Sequence, residues 1–423
     1  MRISECPEGL VKSAWNRVQE AIQVMCRKNP PPRSNFAIDE ADVHICLWEK
    51  HCSGNCGCCY LRSEKPYKTT VFEKCKVDQI GFEDMLKVMV NLRYAAGAKY
   101  IVFVGGDPCE HPNLVEFLIF AKAIGLDTCV LSNTHRYLMG GQEVDIETVT
   151  RYGYLDEIDI TLHGTRTAHD RFNGSPGSYD YMFDQVKKYE KARDEYQSIG
   201  IVLNMTPYLI GTAMTLNLTM TDTIIRFGLD PERDFFTIQR IAPAGLALKD
   251  FEKKWAIDSY MINEAFNIFD VMKDAYGIET RVCIDAFPWC AIDKKYWHYL
   301  KPLEGGCNWG RPGGVLSIMP DGMIQRCALC YDHLGVNIKD LNTPGDFTEL
   351  MVANRALKAA NERKHLNEKC KSCSLFEKCG GGCIIASTFY GAHAGKRVWG
   401  DPYPYGCSVA AGRYMDYLAK GPL

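Results

Sequence analysis

The sequence predicts an α/β fold, a partial (β/α)6 barrel of parallel strands followed by a small cysteine-rich domain. Three observations carry this. From about residue 42 short apolar runs alternate with amphipathic helical patterns, the signature of successive βα units. Six such strands can be read, each followed or preceded by a helix, too few to close an eight-stranded barrel and enough for an open one. Cysteine density then rises between Cys307 and Cys407.

Taken in order, residues 1–41 are a lead-in segment, with a helical pattern over 10–25 ending in the breaker run Asn29-Pro30-Pro31-Pro32-Arg33. Residues 42–245 form the barrel. Its strands are expected at 43–47, 100–104, 128–132, 157–162, 200–205 and 235–241, with helices at 82–96, 113–124, 146–152, 179–196 and 219–227. Residues 246–300 read as a helical bridge and 301–423 as the second domain. In such sheets the chemistry gathers beyond the C-terminal strand ends. Cys52, Cys56 and Cys59 follow the first expected strand and Gly105-Gly106-Asp107-Pro108 follow the second, so both face that end.

Composition bounds the function. The 423 residues exceed what one core usually serves, and 46% hydrophobic with 24% charged residues is ordinary for a globular chain. A net charge of −3 gives no broad basic field for nucleic acid. No apolar stretch reaches the roughly 18 to 20 residues that span a bilayer, and the N-terminus lacks an apolar signal core, so a cytoplasmic protein without a membrane partner is expected. Twenty cysteines grouped in tight clusters in so long a chain point to metal ligation rather than disulfides.

Cys52-Ser53-Gly54-Asn55-Cys56-Gly57-Cys58-Cys59 contains Cys-x3-Cys-x2-Cys. Three thiolates on one loop suit three irons of a [4Fe-4S] cube and leave the fourth iron open, whereas electron-transfer clusters take four thiolates. A zinc loop is the alternative, with Cys58, His51 or Cys46 as fourth ligand.

This loop, together with the Gly-Gly-x-Pro turn of Gly105, Gly106, Asp107 and Pro108, resembles the radical S-adenosylmethionine (SAM) superfamily. The resemblance implies that Cys52, Cys56 and Cys59 hold a [4Fe-4S] cluster whose open iron chelates S-adenosylmethionine. One electron from an external donor such as flavodoxin or ferredoxin then yields a 5′-deoxyadenosyl radical that takes a hydrogen atom from the substrate. It also implies that Gly105, Gly106, Asp107 and Pro108 form the cofactor's amino-group site. The residue before the third cysteine is usually aromatic in that family, and here it is Cys58. The stretch His169-Asp170-Arg171-Phe172-Asn173-Gly174 resembles the family's His-Asp-x-x-Arg-Gly, with Asn173 at the Arg position and Arg171 two residues earlier. Both are candidates for the cofactor carboxylate. Ser132, Asn133 and Thr161 are further cofactor-binding candidates, and ordinary turn or cap roles are the alternative for each.

Downstream, Cys307-x14-Gly322-x4-Cys327, then Cys370-x2-Cys373-x5-Cys379-x3-Cys383, then Cys407, is similar to the SPASM domain that ends many of these enzymes. That resemblance implies two auxiliary [4Fe-4S] clusters. One uses Cys307, Cys327 and Cys383, with Cys330 as the nearest further ligand and Cys283 and Cys290 upstream. The other uses Cys370, Cys373, Cys379 and Cys407. Two structural zinc sites are the alternative.

The SPASM resemblance implies a peptide or protein substrate that is oxidised, crosslinked or epimerised. The short lead-in points to a separate leader-binding protein or a leaderless substrate. A small-molecule oxidase or epimerase, acting for example on an amino sugar or nucleoside, is the second expectation, and a non-catalytic electron-transfer protein the third. Asp159, His163 and Asp332 are the candidate general bases.

Overall fold

The computed structural model describes residues 10–25, 43–46, 52, 54–61, 80–95, 97–133, 137–139, 142–210, 212–241, 246–247, 251–257, 259–282, 289–300, 316–325, 333–338 and 372–379. Asp332 and the cysteines 283, 307, 327, 330, 370, 383 and 407 lie outside the described residues.

In chain order the regular elements are α1 (Leu10–Met25), β1 (Val43–Cys46), α2 (Phe82–Val90), β2 (Tyr100–Val104), α3 (Leu114–Ala123), β3 (Asp127–Ser132), a hairpin of β4 (Tyr137–Met139) and β5 (Gln142–Val144), and α4 (Ile146–Arg151). Then come β6 (Glu157–Leu162), α5 (Arg166–Asn173), α6 (Ser178–Ala192), β7 (Ser198–Met205), α7 (Pro207–Ile210), α8 (Ala213–Phe227), β8 (Phe235–Arg240), α9 (Ser259–Tyr276) and β9 (Glu279–Val282). Last are β10 (Leu316–Ile318), β11 (Met323–Gln325), β12 (His333–Asn337) and α10 (Phe376–Cys379).

One ten-stranded sheet runs β12-β11-β10-β1-β2-β3-β6-β7-β8-β9. From β10 through β9 all neighbours are parallel, and β10-β11-β12 is an antiparallel meander at one edge. The six strands expected between residues 42 and 245 are present, but the parallel sheet does not stop with them. β9 comes from the stretch expected to be a helical bridge, and β10 from the stretch expected to be a separate domain. Neither has an apolar run long enough to announce a strand: β9 is Glu-Thr-Arg-Val with Glu279 and Arg281 exposed, and β10 is three residues long.

The central strands bury their outer faces fully and their inner faces at least in part, as expected of a parallel sheet covered by helices. On β6, Ile158, Ile160 and Leu162 point outward to the helices and are fully buried, while Glu157, Asp159 and Thr161 alternate inward and are half-buried. The outer layer packs Phe103, Phe117, Phe236, Val186 and Ile262 into one continuous core. A second, smaller cluster of Leu61, Val102, Val104, Cys129 and Met319 fills part of the inside. Gly322, in the Gly-x4-Cys spacing, has φ 83° and turns β10 into β11, with its N–H donating to Met319 O at 2.8 Å. No described helix is long and apolar enough to cross a membrane.

Candidate active site

The loop of Cys52, Cys56 and Cys59 follows β1, the Gly105-Gly106 turn follows β2, Asn133 follows β3 and His163 follows β6. All stand at the C-terminal edge of the sheet. Gly105 and Gly106 have φ 86° and 55°, a left-handed pair that side chains rarely adopt, so the backbone can turn tightly over the sheet edge. Asp107 is buried at 1% exposure; its Oδ1 accepts from Cys109 N at 3.0 Å and from Ser132 Oγ at 2.6 Å. Ser132 therefore reaches the site through Asp107, and Pro108 opens the short 3-10 turn that Asp107 caps.

A Cβ built on Gly54 would stand 3.3 Å from Cys52 Sγ, 3.8 Å from Cys56 Sγ and 3.9 Å from Asn133 Nδ2. Two thiols thus converge on a position with no side chain, and Asn133 Oδ1 beside them is sealed from solvent without a hydrogen bond among the described residues. Burial, then the nearby Asp107 carboxylate, pushes the Cys52 thiol up to about 12. Burial, then crowding by Cys56 and Cys59, also pushes Cys58 well above the usual thiol range. Such sulfurs hold their protons until a cation arrives to take the charge. The donor set therefore fits a thiolate-ligated metal group.

Long-range contacts hold the loop in place. Asn55 N donates to Asn173 O at 2.8 Å, the Cys56 thiol lies 3.2 Å from Asn173 Oδ1, and Leu246 N donates to Cys59 O at 2.9 Å. Phe172 stacks on His163 with centroids 3.8 Å apart and meets the edge of Trp255 at 5.6 Å. Trp255 in turn lies under Gly57, where a Cβ would be 3.7 Å from its ring.

Of the two candidates on α5, the structure brings Asn173, buried, against Cys56, while Arg171 is exposed. Thr161 and Asp159 face the barrel interior. The Asp159 carboxylate lies over Gly200, where a Cβ would fall 1.9 Å from its Oδ1, so the backbone at 200 has to be glycine for this packing. His163 and His169 are buried; burial lowers His169 to about 4, and burial together with the His169 charge lowers His163 well below the usual range. Both imidazoles are neutral at pH 7, which makes His163 a weak base.

The sequence did not single out Asn55, Phe172, Trp255 or the role of His169. The His169–Gly174 stretch is the signal for His169 and Phe172, and the cysteine loop for Asn55, but each identifies a segment and not which side chains turn inward; Trp255 lies in neither motif. In the C-terminal group, Cys379 is buried and its Sγ accepts from Trp289 N at 3.4 Å, which brings Cys290 close by in the chain; Cys373 starts the turn whose Phe376 N bonds back to its carbonyl at 3.0 Å.

Residues 50–207 match the family model of the Radical SAM superfamily. Over 157 residues the chain is 27% identical to the AdoMet-dependent heme synthase of Oleidesulfovibrio alaskensis, covering 36% of this chain and 37% of that protein. Over 156 residues it is 24% identical to the Fe-coproporphyrin III synthase of Methanosarcina barkeri, covering 36% and 35%. The match thus spans little more than a third of the length of either relative. Among solved structures the fold is similar to Streptococcus suis SuiB, with a TM-score of 0.60, 12% identity, and 94% of this chain and 83% of that chain covered. It is also similar to anSMEcpe with bound AdoMet, with a TM-score of 0.60, 14% identity and coverage of 90% and 96%. The match of residues 50–207 and the converging thiols support a radical SAM reading of this part of the chain, for which a [4Fe-4S] cluster and S-adenosylmethionine are implied, and the likeness to the solved structures shows the fold.

Proposed function

We propose that the chain cleaves S-adenosylmethionine at a [4Fe-4S] cluster held by Cys52, Cys56 and Cys59 and abstracts a hydrogen atom from a peptide or protein side chain, giving an oxidised, crosslinked or epimerised product. The observation that carries the reading is the convergence of the Cys52 and Cys56 thiols on Gly54, beside Asn133, with the carboxylate of Asp107, which follows the left-handed Gly105-Gly106 turn, near enough to act on Cys52. When bound, the cluster supplies the electron and the open coordination position. The chain's own residues place the cofactor. Gly105 and Gly106 offer backbone groups at the sheet edge, Asp107 is fixed by Ser132 and Cys109, Asn133 adjoins the cysteine loop, and Thr161 is half-buried near the end of β6.

A radical of this kind is unselective, so selectivity rests on position and on exclusion of water. Asp159 is the better proton acceptor of the described candidates. It lies on the inner face two residues below Thr161, about 7 Å along the strand, whereas His163 is buried and weakened as a base. The C-terminal cysteines, in this reading, hold two auxiliary [4Fe-4S] clusters that accept the electron a substrate radical loses. The peptide assignment rests on their spacing. A small-molecule substrate is the second reading, and it is favoured by the relatives named as heme and Fe-coproporphyrin III synthases.

Two measurements test this. Iron analysis of anaerobically reconstituted protein should give about twelve irons per chain, three four-iron clusters; about four would remove the auxiliary clusters. Peptides and iron porphyrins offered in parallel should differ in stimulating 5′-deoxyadenosine formation, with deuterium from the labelled substrate appearing in the 5′-deoxyadenosine. Stimulation by the porphyrin alone would replace the peptide reading with the second.

A further inference from the structure

We propose that the side-chain amide of Asn173 donates an N–H hydrogen bond to the sulfur of Cys56, locked in that orientation by His169, and that this bond makes the cluster easier to reduce. The inference rests on the proposed role of Cys56 as a cluster ligand.

The N–H of His163 points at Nδ1 of His169 at 3.4 Å. A backbone N–H can only donate, so Nδ1 must present its lone pair, and an imidazole always carries at least one proton. That proton is therefore on Nε2. His169 Nε2 lies 2.8 Å from the Asn173 amide at the atom placed as Nδ2. Two N–H donors facing each other at that distance repel. The nitrogen and oxygen of a carboxamide have the same shape, and the hydrogen-bond network decides between them. Turning the amide end for end gives His169 Nε2–H an oxygen acceptor and aims the amide nitrogen at Cys56 Sγ, 3.2 Å away.

The sulfur end demands the same orientation independently. A cysteine that ligates iron is a thiolate with no proton to give, and beside the Asn173 oxygen it would meet a second acceptor. One arrangement thus serves both His169 Nε2–H and a ligating Cys56, and in it the amide nitrogen also faces His163, which lies within hydrogen-bond reach of Asn173. The surroundings hold it: His169 and Asn173 are at 0% and 2% exposure, Phe172 seals the site by stacking on His163, and Asn173 O is pinned by Asn55 N. Burial also keeps His169 neutral near pH 7, consistent with a single proton on Nε2. Hydrogen bonds to ligating sulfurs favour the more negative, reduced cluster. Asn173 is accordingly a positioning and tuning residue.

The test is a redox titration of full-length, anaerobically reconstituted protein, followed by the electron paramagnetic resonance signal that added S-adenosylmethionine perturbs. Asn173→Asp keeps the shape and the acceptor for His169 but loses the donor, and Asn173→Ala loses the donor without adding charge. Both should retain iron and make reduction at least tenfold less favourable, about 59 mV lower for one electron. A wild-type potential in either variant overturns the inference, while the radical SAM reading survives. Loss of the responsive cluster in both, with circular dichroism unchanged, assigns Asn173 to cluster retention and overturns the tuning role. A wild type with no signal responsive to S-adenosylmethionine overturns the reading of the site itself.

Discussion

At the N-terminal ends of its strands the barrel is closed by ion pairs, whereas at the C-terminal ends the polar groups are half-buried thiols, amides, neutral imidazoles and the buried carboxylate of Asp107. Below, Arg193 and Asp234 are paired at 1% and 0% side-chain exposure, and Asp234 also accepts from Ile199 N and Asp230 N. Lys122 bonds Asp156 at 2.8 Å, and Asp156 accepts from Thr128 N just inside β3. Above, His163 and His169 are buried, Cys52 and Asn133 are half-buried, and the buried Asp107 carboxylate accepts from Ser132 Oγ and Cys109 N. At the first end each of these carboxylates meets a cation. The second has donors and acceptors arranged for something that is not polypeptide.

Acid should separate the two ends most strongly. Burial lowers His111 and His169 to about 4, while an unfolded histidine takes up its proton near 6.5. Between those values the unfolded chain binds more protons, so stability falls as pH drops from about 6.5 to 4, by about 3 kcal/mol for each histidine. Urea melts over this range should show that loss, and His169→Gln should flatten the slope by one proton. An unchanged slope in the variant would mean that His169 is protonated in the folded chain.

Breaking the lower end should cost slightly less. Asp234→Ala leaves the Arg193 guanidinium buried and unpaired and is expected to destabilise by about 3–5 kcal/mol without altering cofactor cleavage per folded molecule. A loss below 1 kcal/mol would show that the pair is not what closes this end.

Between the ends, Gly200→Ala pushes a methyl into the Asp159 carboxylate and to 3.0 Å from the Phe235 ring. It should destabilise by about 1–3 kcal/mol, and Asp159→Ala in the same chain should recover most of that, a coupling that a double-mutant cycle would read.

The smallest effect concerns the seating of α5. Asp170 accepts from Gly177 N, Tyr179 N and Ser178 Oγ at the start of α6, and although burial alone would raise its carboxyl, these bonds hold it below the usual range. Its contribution is present above the unfolded value and lost as pH falls through the folded one. Asp170→Ala should lower stability by about 1 kcal/mol, checked by thermal melts at pH 7.

Much of this was legible in the sequence because it is local. The strand at 157–162 alternates inside and outside residues, and the cysteine loop is written in eight consecutive positions. Helix α5 was not legible: Arg-Thr-Ala-His-Asp-Arg-Phe-Asn has no apolar stripe, and its bonds to the start of α6 and to the cysteine loop help fix it in place. Helix α8 begins six residues before its expected start, at a Thr212 cap hidden in a Thr-rich run. The Cys56–Asn173 contact joins residues 117 apart, so only the fold could reveal that Asn173 rather than Arg171 turns toward the thiols.

The central claim is tested most directly by assaying reductive cleavage of S-adenosylmethionine to 5′-deoxyadenosine, with iron counting, in the anaerobically reconstituted wild type and a Cys52→Ala/Cys56→Ala/Cys59→Ala variant. The wild type should cleave the cofactor, and the variant should lose cleavage and about four irons while keeping its fold. Zinc in place of iron, or iron without cleavage, would contradict it.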